Sequence, residues 1–116
     1  MQSFLITGDI AARVEALLIR SGQNLKSDLL FVPHHGSIHS SSMDFIRTVS
    51  CRFAIISAGK NNVFRHPHPA VLDRYTSAVV DIFRTDQDGA ISVYSDGKTI
   101  NITPWLERPT QNGRPQ

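Results

Sequence analysis

Two short stretches hold most of the imidazoles of this 116-residue chain: FVPHHGS at 31–37 and RHPHP at 65–69. Four of the five histidines lie there, and the fifth, His39, sits just past the first stretch. Neutral imidazole and carboxylate are the usual protein ligands for zinc and manganese. A ligand must be held rigidly, so a turn braced by Pro33 and Gly36 directly after an apolar run is a suitable mount, and Gly36 lets the backbone approach closely. Asp9, between the apolar stretch SFLIT and a helical pattern, is the candidate carboxylate. Each group also has a plainer reading. His34 and His35 could be solvated turn residues, Asp9 a helix N-cap, and HPH a stiff turn that opens a helix at Pro69.

The elements that must position these groups alternate along the chain. Apolar, β-prone runs predict strands over 3–7, 28–32, 52–57 and 79–83. Helical spacing at Val14, Leu17 and Leu18 predicts a helix over 11–19, closed by Gly22. Ser40, Ser41 and Ser42 precede a short helix with Asp44 in its first turn, and Pro69 opens another that runs to about Ser77. Runs at 89–94 and 99–102 flank SDGK, a hairpin turn signal. This order predicts an α/β fold with right-handed crossovers. Asp9, the His34–His35 pair and the 59–68 loop each follow the C-terminal end of a strand, so neighbouring strands would bring them to one sheet edge.

Composition sets the remaining limits. The apolar share of 41% is ordinary for one soluble domain. No apolar run is long enough to span a bilayer and no signal peptide is evident, so the expected location is cytoplasmic, without membrane insertion. Cys51 is the single cysteine and reads as a small buried residue in a reduced compartment. The net charge of +2 is too small to argue for nucleic acid. Residues 105–116, rich in Pro, Gln, Asn and Arg, read as a disordered tail after a domain over 1–104.

Four segments, LITGD, VPHHGSIHSSS, AIISAGKNNVFRHPHPAVLDR and FRTDQDGAISV, resemble in order and spacing the end of the metallo-β-lactamase-like domain of ComEC-type competence DNA-uptake proteins. The resemblance covers about 4–93. It implies a four-layer αβ/βα sandwich with a metal site, usually binuclear, at the strand ends. It implies that Asp9 bridges the metal ions and that a histidine of PHHGS is a late ligand. Related branches carry a single histidine before glycine there, which assigns His35. His66 is then the candidate proton donor to a leaving group, and His34, Ser37, Asn61 and His68 are candidate substrate contacts.

The chain also departs from that family. The motif H-x-H-x-D-H and the next histidine ligand, both in the N-terminal half of the fold, are absent. The chain is therefore expected to be the C-terminal half, whether a split product, a truncated frame or an excised piece. A binuclear site needs about seven or eight protein ligand contacts, of which Asp9 and His35 supply a minority. Three functions of different classes follow. One is a metal-dependent phosphodiesterase or nuclease-like hydrolase, inactive alone, acting on single-stranded DNA or another phosphodiester. Another is a half-domain that docks to an N-terminal half or self-associates, because nothing obvious in the chain covers the second face of its apolar strands. The last is a binding module for an anionic ligand, built on Ser37 and Ser40–Ser42 at a helix start.

Overall fold

The computed structural model describes residues 2–60 and 62–106. It is an α/β fold around four parallel strands, β1 (Phe4–Ile6), β2 (Leu29–Phe31), β3 (Phe53–Ile56) and β4 (Asp81–Arg84), in the spatial order β1-β2-β3-β4. Three helices make the crossovers: α1 (Ala12–Arg20), α2 (Met43–Val49) and α3 (Pro69–Ser77). Sequential strands joined by crossovers of one hand place every connecting helix on the same face. The main core lies there, with Leu30, Ala54 and Ile56 of the sheet against Phe45, Ile46 and Val49 of α2 and Val71 and Tyr75 of α3.

Period-two alternation sends Phe4, Leu29 and Phe53, paired in register, to the opposite face, together with Ile6, Phe31, Ile55 and Phe83. The expectation that nothing in the chain covers this face is corrected by the C-terminal hairpin, β5 (Ile91–Ser95) and β6 (Ile100–Pro104). Its strands alternate strictly, so Ile91, Val93, Ile100 and Ile102 share one side and pack on Leu29, Ile55 and Phe83. Asp96 closes the turn by accepting from the Lys98 and Thr99 N–H groups, both at 2.8 Å. Cover stops short of β1, where Phe4 is 44% and Ile6 75% exposed.

Two local differences from the sequence reading have simple causes. The fourth strand begins at Asp81 rather than 79, because Val79 has a φ of 60° and its N–H still bonds Thr76 in the turn that ends α3. In α1 the inward stripe is Glu15, Leu18 and Ile19, while Val14 and Leu17 face outward. Glu15 is fully buried and accepts from the Ser41 and Ser42 N–H groups at 2.6 and 2.8 Å. Ser42 caps α2 through the Phe45 N–H, and Ser41 bonds the Tyr75 hydroxyl at 2.8 Å. The serine run is therefore spent on capping and on tying three helices together. Cys51 is buried, which pushes its thiol up to about 11, too high for a reactive thiolate at neutral pH.

Trp105 and Leu106 continue from β6 through backbone bonds to Ala90 and Asp88. The rest of the expected tail, 107–116, lies outside the described residues. Among the described residues no helix is long and apolar enough to cross a membrane.

Candidate metal and phosphate site

Because β1, β2 and β3 are parallel neighbours, the segments that follow them emerge on one edge. Asp9 follows β1 in a turn with Gly8 at a φ of 64°. It does not cap α1, whose N-cap is Ala11, without a side-chain bond. After β2 the chain turns through a single 3₁₀ turn, Pro33–Gly36, in which His34 and His35 both adopt left-handed backbone, with φ of 52° and 56°. Two bonds tie this turn and the end of β2 to the segment just past β1: the His34 N–H donates to Gly8 O at 2.9 Å, and Thr7 Oγ1 donates to Phe31 O at 3.0 Å.

The left-handed pair aims the two rings differently. His35 turns toward Asp9, with Nε2 3.8 Å from Oδ1, and both side chains are more than half exposed. Its Nδ1 lies 2.7 Å from the Ser57 carbonyl oxygen. A carbonyl can only accept, so Nδ1 carries a proton, and Nε2 is the ring nitrogen that faces the carboxylate. A histidine metal ligand is commonly oriented in this way. His34 turns inward, and its buried Nδ1 has no hydrogen-bond partner among the described residues. Its ring meets that of His66 edge-on, with centroids 5.7 Å apart.

The loop after β3 is held at both ends. Thr85, in the single-turn helix α4 (Thr85–Asp88), accepts through Oγ1 from Ala58 N–H at 2.9 Å and donates to Ala58 O at 3.0 Å. Asn62 accepts from the His66 N–H at 2.8 Å and donates to the carbonyls of His66 and Gly59 at 2.6 and 2.8 Å. The loop then crosses over Gly36: an added Cβ at Gly36 would stand 2.6 Å from Pro67 Cβ, and Gly36 O accepts from His68 N–H at 3.0 Å. The two histidine motifs are thus one packed unit.

The candidate residues fall into three groups. Asp9, His35, His34 and His66 are brought together. His68 caps α3, its Nδ1 accepting from the Ala70 N–H at 3.0 Å, so the plainer reading of HPH describes this residue. Ser37 is buried, and its Oγ accepts from the His39 N–H at 3.2 Å. Asn61 lies outside the described residues. Sequence reasoning missed Asn62, Thr85 and the Ser57 carbonyl. Asn62, four residues before His66, carried the one available signal, since an asparagine side chain readily bonds nearby backbone.

Desolvation, followed by the neighbouring His34, His35 and His68, holds the His66 imidazole below its ordinary 6.5. The folded protein resists a proton that the unfolded chain accepts. Stability therefore rises with pH through the window between the lowered value and about 6.5, and falls on acidification through it. An NMR titration of the His66 ring is expected to show a midpoint below 6.5; a midpoint at or above it would contradict this packing.

An α/β domain that gathers a carboxylate and three imidazoles on one sheet edge is the class of protein that these features define. The sequence is 42% identical over 112 residues to ComE operon protein 3 of Bacillus subtilis (strain 168), across 87% of this chain and 14% of that protein. It is 39% identical over 90 residues to Competence protein ComA of Neisseria gonorrhoeae, across 77% of this chain and 13% of that protein. Recombination protein 2 of Haemophilus influenzae is 41% identical over 114 residues, again across 14% of its length. The chain is thus similar to one segment of these relatives, one of which is named for competence, and it spans about one-seventh of their length. No family model and no solved structure matches the chain.

Proposed function

We propose that this chain forms the C-terminal part of a metallo-β-lactamase-like, metal-dependent phosphodiesterase that acts on DNA during uptake in competence, and that it is inactive alone. The observation that carries this reading is His35: its Nδ1 is held by the Ser57 carbonyl, and its Nε2 faces Asp9 Oδ1 at 3.8 Å. The donor set fits part of a zinc or manganese site. The separation is close to the roughly 3.4 Å expected between two ligands of a tetrahedral ion with bonds of about 2.1 Å. Among the described residues no group of three or more His, Cys, Asp or Glu is placed to hold a metal, so further ligands would come from a segment carrying H-x-H-x-D-H.

Bound there, a divalent metal would polarise the phosphodiester and lower the pKa of an attacking water. Asp9 and His35 would hold it. His66, whose imidazole is held below its ordinary 6.5 by desolvation and its imidazole neighbours, would take up a proton beside a phosphate anion and pass it to the leaving oxygen. The inward His34 would keep His66 upright through their ring contact.

Combining the chain with the H-x-H-x-D-H segment of the same protein is expected to give cleavage of single-stranded DNA that needs metal. The cleavage is expected to fall at least a hundredfold in Asp9→Asn and in His35→Gln. Full activity in either variant, or none in the combined protein, would count against the reading.

A docking role rests on a separate observation, the exposed Phe4 and Ile6 on edge strand β1. Such an edge accepts a further strand. The partner would be the N-terminal half of the fold or a second copy, and a rise in melting temperature on mixing with that half would separate the two.

A further inference from the structure

The tip of the 58–68 loop is built in a way that the metal chemistry does not require. Phe64 is 75% exposed, yet its ring is not loose: it stacks on His66, with centroids 5.7 Å apart and planes 27° from parallel. His66 in turn meets His34 at 5.7 Å. Phe64, His66 and His34 therefore stand in file, from the loop tip to the residue beside His35. Asn62, with its three bonds across the loop, fixes the backbone beneath them. A mostly uncovered aromatic ring in water is unfavourable, and here it rests on a prepared support.

Charge adds a second feature. Between Asp44 and Asp73 the chain carries Arg47, Arg52, Lys60 and Arg65 and no acidic residue. Lys60, four residues before Phe64, and Arg65, the residue after it, are both exposed. An exposed aromatic ring in a segment whose charges are all cationic, joined through His66 and His34 to a candidate phosphate site, matches the chemistry of unpaired nucleic acid, whose bases stack and whose phosphates are anionic.

We propose that Phe64 is a stacking platform for an unpaired nucleobase, with Lys60 and Arg65 taking the adjoining phosphates, so that the strand is laid toward Asp9 and His35. This rests on the phosphodiesterase reading for its direction and adds the residue that selects single strands over duplex, whose bases already stack on each other.

The test is binding of a labelled ten-nucleotide oligothymidylate to the whole chain by fluorescence anisotropy, in chelator so that no metal contributes. Phe64→Ala and Phe64→Leu are expected to weaken binding about fivefold to a hundredfold, the range for losing one stacked base. Phe64→Trp is expected to keep binding. Its emission, read against the chain's own Trp105, is expected to be quenched by the oligonucleotide and not by inorganic phosphate. Phe64 is 75% exposed, and among the described residues the aromatic ring it meets is that of His66 in the same loop, so Leu serves as the check that lost affinity reflects the ring and not the fold. Equal binding by the wild type and both truncated variants would overturn the platform. So would a duplex that binds as tightly as the single strand with the same Phe64 dependence. Loss in Phe64→Ala of binding to phosphatidylglycerol–phosphatidylcholine vesicles, with oligonucleotide binding unchanged, would overturn it in favour of a membrane contact. Failure of metal-dependent cleavage in the combined protein, with the Phe64 effect intact, would instead count against the phosphodiesterase reading alone.

Discussion

Gly36→Ala is expected to lower stability by about 2–5 kcal/mol and to part the two histidine motifs. Gly36 has a φ of 85°, where a side chain costs about 1–2 kcal/mol. The added Cβ would also stand 2.6 Å from Pro67 Cβ and 2.9 Å from Pro67 Cα. Backbone cannot yield as a flexible side chain does, and such overpacking costs about 1–3 kcal/mol more. Relief would move the 66–68 segment outward, stretching the Gly36–His68 backbone bond and withdrawing His66 from His34. Gly97→Ala is the control: Gly97 has nearly the same φ, 87°, with nothing within 4 Å of the added carbon. Urea denaturation should show a clearly larger loss for position 36. Equal losses at both positions would mean that the motifs are not packed as described.

Glu15→Ala is expected to cost about 2–5 kcal/mol, a large effect for a residue outside the candidate site. The carboxylate is fully buried and is the acceptor for two backbone N–H groups, those of Ser41 and Ser42, at the approach to α2. Removing it strands both donors, each worth about 1–3 kcal/mol when buried and unsatisfied. Glu15→Gln is expected to recover only part of this, because one amide nitrogen would face an N–H. Arg74 donates to the Ser41 carbonyl at 3.2 Å and Tyr75 meets the Ser41 hydroxyl, so disorder there should spread into α3. A denaturation midpoint unchanged in Glu15→Ala would show that these donors find water or another acceptor.

The order and type of the main elements could be read because apolar runs, serine, proline and glycine punctuate them locally. Ser42 and Pro69 open their helices where their chemistry suggests, and SDGK forms its turn. Asp9 and His35 could be placed on one edge because parallel topology makes that a matter of order alone. What the sequence hid was set by tertiary pairing. The burial of Glu15 has no local signal, because its partners Ser41 and Ser42 lie in another segment. The hairpin's role as cover for the second face of the sheet depends on how it folds back. The division of labour between His34 and His35 comes from two successive left-handed residues, which no dipeptide announces. His68 and Ser37 looked available from the sequence, and each is engaged by a nearby backbone N–H.

The central claim is that Asp9 and His35 are metal ligands. The most direct measurement is paramagnetic broadening by manganese in the NMR spectrum of the chain, which detects even a weak site. Added at increasing concentration, Mn²⁺ should first erase the signals of Asp9, His35 and their neighbours on that sheet edge. The effect should disappear in Asp9→Asn and in His35→Gln. Broadening that centres elsewhere, for instance on Asp96 in the hairpin turn, or that survives both substitutions, would contradict the claim.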